Sequence, residues 1–209
     1  ISSSSVFSSK QQSSNENIVP TPKTFYGKQK LEIEKYLLSP AVYKFDPIII
    51  RPTKVLSGNS GLIKNWLENK TFEANKAVTL SPISDKFLAK FITDIQEKNE
   101  RGIFHLSGKG ILDYQAFAEM LILNANIKPL HKNVFEDISQ SPDSATHLTT
   151  IRNIQYTNSL QTLDEFFKEL LFDPIEDLSN QELSDIYKKH IRSAYIKEED
   201  QRKIGRAHV

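Results

Sequence analysis

Between Pro22 and Ser39-Pro40, apolar residues recur at Leu31, Ile33, Tyr36, Leu37 and Leu38, which predicts a helix over Phe25 to Leu38. Asp46-Pro47-Ile48-Ile49-Ile50-Arg51-Pro52 behaves differently. Its β-branched run lacks alternation, as expected of a strand buried on both faces in a parallel sheet. Ile1 to Phe7 reads as the end of a strand, and Ser8 to Pro22 as a polar loop. Strand, helix and strand in that order predict a crossover unit of a parallel sheet.

Downstream, Ser60 to Asn69 predicts a helix through Leu62, Ile63, Trp66 and Leu67, and Ala77 to Leu80 a short strand. Ser84-Asp85 supplies a cap for an amphipathic helix, Lys86 to Lys98, with Phe87, Leu88, Phe91, Ile92 and Ile95 on one face. Arg101 to Gly108 reads as a strand ended by glycine. Asp113 to Asn124 and Thr162 to Leu171 read as helices, and Leu130 to Thr150 as loop. A last, highly charged helix is expected over Leu178 to Tyr195, solvated or linking. The expected class is α/β: the last part of a Rossmann-like parallel sheet, then a small mixed α/β substrate domain.

Composition narrows the function classes. A net charge of +1, with 27 basic residues and no basic block, gives no electrostatic footprint for nucleic acid. No apolar run reaches the roughly 18 residues of a membrane span, so a cytoplasmic protein is the expectation. The chain has no cysteine, hence no disulfide, thiolate ligand or cysteine nucleophile. Its five histidines show no metal-ligand spacing.

The chemistry concentrates early. Tyr26 and Lys30 stand at i and i+4, on one face of the expected helix. An ammonium beside a phenol favours the phenolate, and such a tyrosine can exchange a proton with a carbonyl oxygen. A serine hydroxyl from the run Ser2-Ser3-Ser4-Ser5 can hold that same oxygen. Each part has a plainer reading: a serine run as low-complexity chain, and a Tyr–Lys pair as surface decoration. His105 is expected to be packed or hydrogen-bonded, Trp66 to be core, and His147 more a packing residue than a substrate contact.

Ile1-Ser2-Ser3-Ser4-Ser5-Val6-Phe7, Pro22 to Lys35 with Tyr26-Gly27-Lys28-Gln29-Lys30, and Ile48-Ile49-Ile50-Arg51-Pro52-Thr53 occur in that order. Ser81-Pro82-Ile83-Ser84 with Leu88-Ala89, then Gly102 to Gly108 with Tyr114 to Ala118, follow. In these motifs the chain resembles the extended short-chain dehydrogenases/reductases, within them the dTDP-4-dehydrorhamnose reductase (sugar-nucleotide-binding) family, over roughly residues 1 to 171.

The resemblance implies NAD(P)-dependent reduction of a nucleotide-linked 4-keto sugar, with NADP or NAD as cofactor. Tyr26 would be the general acid. Lys30 would bind the nicotinamide ribose beside it, and Ser3 would hydrogen-bond the substrate carbonyl. Ser4 and Thr53 would contact the substrate. Expected partners are a nucleotide sugar, with neither nucleic acid nor membrane, and a homodimer is compatible with the resemblance.

The departures fall on substrate positions. The family usually has Thr-Asp-Tyr at Ser3-Ser4-Ser5 and Arg-Thr-Ser-Trp at Arg51-Pro52-Thr53-Lys54. An arginine is usual at Leu80, and an Arg-Pro pair at Ser141-Pro142. They favour an alternative: a non-catalytic, sugar-nucleotide- or cofactor-binding regulatory subunit on the same fold, like that of methionine adenosyltransferase.

The expected organisation is 1–58 as the C-terminal part of a nucleotide-binding domain and 59–172 as the substrate-binding region. A helical extension would span 173–203. Residues 204–209, Ile-Gly-Arg-Ala-His-Val, can be encoded by a common sequencing adapter. The chain is expected to be a C-terminal portion lacking the glycine-rich phosphate turn, inactive alone and a poor dinucleotide binder.

Overall fold

The computed structural model describes residues 1–39, 46–57, 61–69, 73–75, 78–125, 134–136, 144–152 and 159–170, with 73–75 and 134–136 as backbone alone. The expected helix over Leu178 to Tyr195, the 173–203 extension and the 204–209 tail lie outside these residues. So do His131, His190, His208 and Ser141-Pro142.

Helix α1 spans Phe25–Leu37 and is followed by β1 (Ile48–Pro52), β2 (Val55–Leu56), α2 (Gly61–Asn69), β3 (Glu73–Asn75) and β4 (Thr79–Leu80). Then come β5 (Ile83–Ser84), α3 (Asp85–Glu97), β6 (Gly102–Gly108), β7 (Leu112–Asp113), α4 (Tyr114–Asn124), β8 (Val134–Glu136), β9 (Leu160–Gln161) and α5 (Leu163–Leu170). The main sheet runs β1-β6-β9, all parallel, so this is an α/β fold with a Rossmann-like sheet. Ile48 to Pro52 pairs residue by residue with Gly102 to Leu106. Two-residue ladders β2-β5 and β4-β7, and the β3-β8 pair, complete the strands.

The sheet's two faces carry different chemistry, because side chains alternate along a strand. Ile50, Phe104 and Leu106 point toward α3 and pack with Phe91 and Ile95. The paired residues Arg51 and His105 point the other way, toward α1 and the N-terminal segment. There the Arg51 guanidinium meets the Glu34 carboxylate of α1 through Nη2–Oε2 at 2.6 Å and Nε–Oε1 at 3.0 Å. Both side chains are 3% exposed. Phe7 lies under the guanidinium at 5.2 Å and edge-on to His105 at 5.5 Å. A separate core joins α2, α4 and α5 through Trp66, Phe117, Phe166 and Phe167, so Trp66 is core as expected.

His105 is neutral by hydrogen-bond geometry. Its Nδ1 lies 2.9 Å from the Thr149 carbonyl and 3.1 Å from that of Ser14, so Nδ1–H donates. Its Nε2 accepts from Arg51 Nη1 at 3.3 Å. Burial holds its pKa below the ordinary value and Arg51 adds to this, overriding the opposite pull of Glu16. Burial raises the Glu16 carboxyl. Hydrogen bonds from the Thr150 hydroxyl and the Ile151 and His105 amides outweigh that and hold it below the ordinary range.

Several expectations need correction. Ile1 to Phe7 is not a strand throughout: after Ser2 N–H donates to Ile50 O at 2.7 Å, Ser4–Val6 turns into a 3-10 helix. The cause is local, since the Ser3 hydroxyl caps that turn by accepting from Ser5 N–H at 3.1 Å. In α1, the apolar residues Ile33 and Tyr36 are exposed, whereas Gly27 and Glu34 are buried. The helix docks through a charge and a glycine, not through an apolar stripe. Leu130 to Thr150, expected as loop, contains β8, and β9 was not expected at all.

Two measurements probe this arrangement. Arg51→Met leaves the buried Glu34 carboxyl without its partner and should cost about 3–5 kcal/mol in denaturant unfolding. The double variant Arg51→Met/Glu34→Leu should recover most of that loss, and an equally unstable double variant would refute the pair's isolation from water. His105 binds its proton less readily when folded. Its contribution is therefore complete above about pH 6.5, the unfolded value, and lost as pH falls through the lower folded one. Unfolding free energy should drop between pH 7 and 5, and less so in His105→Gln.

Candidate active site

Three segments converge on a cleft of about 490 Å³. The first is the N-terminal stretch Ile1 to Ser5, extended through Ser3 and then turning. The second is the start of α1, where Thr24 caps the helix by accepting from Gly27 N–H at 3.0 Å. The third is the exit of β1 through Pro52, Thr53 and Lys54. Across from them stand Thr79 and Thr146, whose hydroxyls are 2.9 Å apart, and Tyr114. Burial raises the Tyr114 pKa, so its hydroxyl stays protonated and can donate.

Tyr26 lines the cleft and is half exposed. Lys30, one turn on, places its Nζ 5.5 Å from the Tyr26 ring centroid and donates to the Ile1 carbonyl at 3.2 Å. That bond ties the lysine to the segment carrying Ser3. An ammonium has three donors, so this bond leaves two for a ligand's hydroxyls. Ser3 also lines the cleft, its hydroxyl 3.2 Å from that of Ser5. Ser4 is buried and lines the same cleft. Thr53 does too, but its hydroxyl donates to Ser81 O at 2.5 Å, so toward a ligand it can only accept. The structure thus brings Tyr26, Lys30, Ser3, Ser4 and Thr53 together.

His147 is buried, its Nδ1 at 3.1 Å from the Ser81 hydroxyl and 3.3 Å from that of Ser107, in the packing role expected of it. Among the described residues no group of histidines and carboxylates forms a metal centre.

Gly27 is a feature that pattern-reading missed. A Cβ built on it would fall 2.0 Å from the Ser5 carbonyl oxygen and 3.0 Å from Pro22 Cβ. Only a glycine lets α1 approach the serine segment this closely, and Tyr26 and Ser3, on the two approaching segments, line the same cleft. The available signal was a glycine inside a helix, costly unless backbone must come near. Gly27→Ala should therefore destabilise the fold, although alanine is the better helix former by about 1 kcal/mol. Thermal unfolding would show it, and a more stable variant would contradict the close approach.

The RmlD substrate binding domain model matches residues 1–161. Among solved structures, a dTDP-4-dehydrorhamnose reductase from Yersinia enterocolitica superposes with a TM-score of 0.66 at 20% identity, covering 81% of this chain and 64% of that one. The reductase from Bacillus anthracis, solved in complex with NADP, gives 0.64 at 18%, covering 81% and 63%. A UDP-glucuronic acid 4-epimerase mutant from Bacillus cereus, in complex with a fluorinated UDP-glucuronic acid and NAD, gives 0.58 at 19%, covering 81% and 58%. At these identities the likeness is one of fold, and the chain spans about three fifths of the length of these structures. No curated protein sequence matches. With the family model covering most of its length, the chain belongs to the RmlD substrate binding domain family.

Proposed function

We propose that the protein, in its full length, is an NAD(P)-dependent reductase of a nucleotide-linked 4-keto sugar. The observation that carries this reading is that Tyr26 and Ser3 line one hydroxyl-rich cleft, with the Lys30 ammonium beside the Tyr26 ring and bonded to the Ile1 carbonyl of the cleft wall. Structures that share the fold hold NADP or NAD, and some hold a nucleotide sugar as well.

A nicotinamide cofactor bound here would supply the hydride. Ser3 donates a hydrogen bond to the substrate's C4 carbonyl oxygen, swinging from Ser5 while its lone pair still caps the turn. Tyr26 gives its phenolic proton to that oxygen as the carbonyl carbon is reduced. Lys30 uses its two free donors on ribose hydroxyls and stabilises the phenolate that remains. Ser4 and Thr53 line the sugar side of the cleft. Residues 1–58 would thus supply the catalytic edge, and 59–172 most of the opposite wall.

Tyr26→Phe removes one hydroxyl from a half-exposed ring, so folding and cofactor affinity should hold while turnover falls by about 10²- to 10⁴-fold. Lys30→Met should weaken cofactor binding as well as slow the reaction. Ser3→Ala should cost least, at one neutral hydrogen bond. The assay follows NADPH absorbance with nucleotide-linked 4-keto sugars. Wild-type turnover in Tyr26→Phe would end the assignment. Cofactor and sugar binding without any turnover would favour the regulatory-subunit reading, which the substituted Ser4 and Lys54 positions support.

A further inference from the structure

The charge pattern of the cleft is one-sided. Among its described lining residues Lys54 is the one charged side chain, and none is Asp or Glu. Lys54 is exposed and stands two residues past the end of β1, after Thr53. Its backbone is pinned, since Lys54 O accepts from Ile83 N–H at 2.9 Å, so the ammonium swings from a fixed Cα. No ion pair among the described residues engages it. Lys30, the nearby cation, rests on a backbone carbonyl rather than a carboxylate.

The rest of the wall offers hydroxyls, including those of Ser3, Ser5, Thr79 and Thr146. Ser2 adds a second observation: it lines the cleft, is 8% exposed, and its buried Oγ has no hydrogen-bond partner. A buried hydroxyl without a partner costs free energy that a polar ligand can return. Hydroxyls with an uncompensated cation suit a ligand that is both polyhydroxylated and anionic.

We propose that Lys54 recognises an anionic group of the ligand, either a carboxylate on the sugar or the diphosphate joining it to the nucleotide. The inference rests on the nucleotide-sugar reading above and adds the residue that selects within that class. A charge-assisted hydrogen bond is stronger than the neutral contacts around it, so its loss is measurable.

The test is calorimetric titration of the full-length protein, with NADP⁺ present, using UDP-glucuronate, UDP-glucose and UDP as probes. Lys54→Met should weaken at least one of them by about 10-fold or more. Loss confined to UDP-glucuronate identifies the carboxylate, and equal loss for all three identifies the diphosphate. Lys54→Arg, which keeps the charge, should stay within about threefold of wild type. Unchanged affinities in Lys54→Met overturn the proposal and leave the nucleotide-sugar reading standing, as does an equal loss in Lys54→Arg. A wild-type protein that binds none of the probes overturns both.

Discussion

The Glu34–Arg51 ion pair decides how the site's three arms sit relative to one another. Glu34 lies on α1 four residues beyond Lys30 and eight beyond Tyr26, so all three share a flank of that helix. Arg51 belongs to β1, whose continuation delivers Thr53 and Lys54 to the cleft. Phe7, which packs on the guanidinium, ends the segment carrying Ser3 to Ser5. One guanidinium thus touches helix, strand and serine turn. Two charges withdrawn from water tolerate little misalignment, because each depends on the other for its solvation. That dependence makes the pair a better ruler than an apolar contact, which can slide.

His105 completes the arrangement from the neighbouring strand. The parallel register sets it opposite Arg51, and two backbone carbonyls fix its donor nitrogen, which leaves Nε2 as an acceptor for Arg51. A neutral imidazole is required here, since a second cation against Arg51 would undo the pair. Glu16 pulls the loop over the same strand by accepting from the His105 and Ile151 amides and the Thr150 hydroxyl. Electrostatics and chain path reinforce each other: residues far apart in sequence are joined by buried and half-buried polar groups that satisfy one another.

Much of the fold was legible because its signals are local. Ser84 and Asp113 cap α3 and α4, and the non-alternating Ile48-Ile49-Ile50 is a strand covered on both faces. The α1 stretch was found as a helix, yet its buried face was misread. Its docking side is Gly27 and Glu34, which hydropathy counts as surface. The partners that make them interior, Ser5 and Arg51, are set by tertiary structure alone. Short strands such as β9 escaped for a related reason, being defined by two rungs on β6 and not by any pattern of their own. Motif order singled out Tyr26, Lys30 and Ser3, and Tyr114 by its place in a later motif, whereas Thr79 and Thr146 on the opposite wall carry no such mark.

The cleft follows from this division of labour. Behind it, polar groups are satisfied within the protein: Thr53 is spent on Ser81, the Ser81 hydroxyl on the Gly108 and Gly110 carbonyls, and Arg51 on Glu34. In front, Tyr26 is half exposed, Lys30 has one bond where three are available, and the Ser2 hydroxyl has none. Among the described residues the Ser2 hydroxyl is the buried side-chain donor left unpaired, and it lies on the cleft wall. Donors gathered in this way are complementary to acceptors, and no carboxylate among the described lining residues of the cleft opposes them.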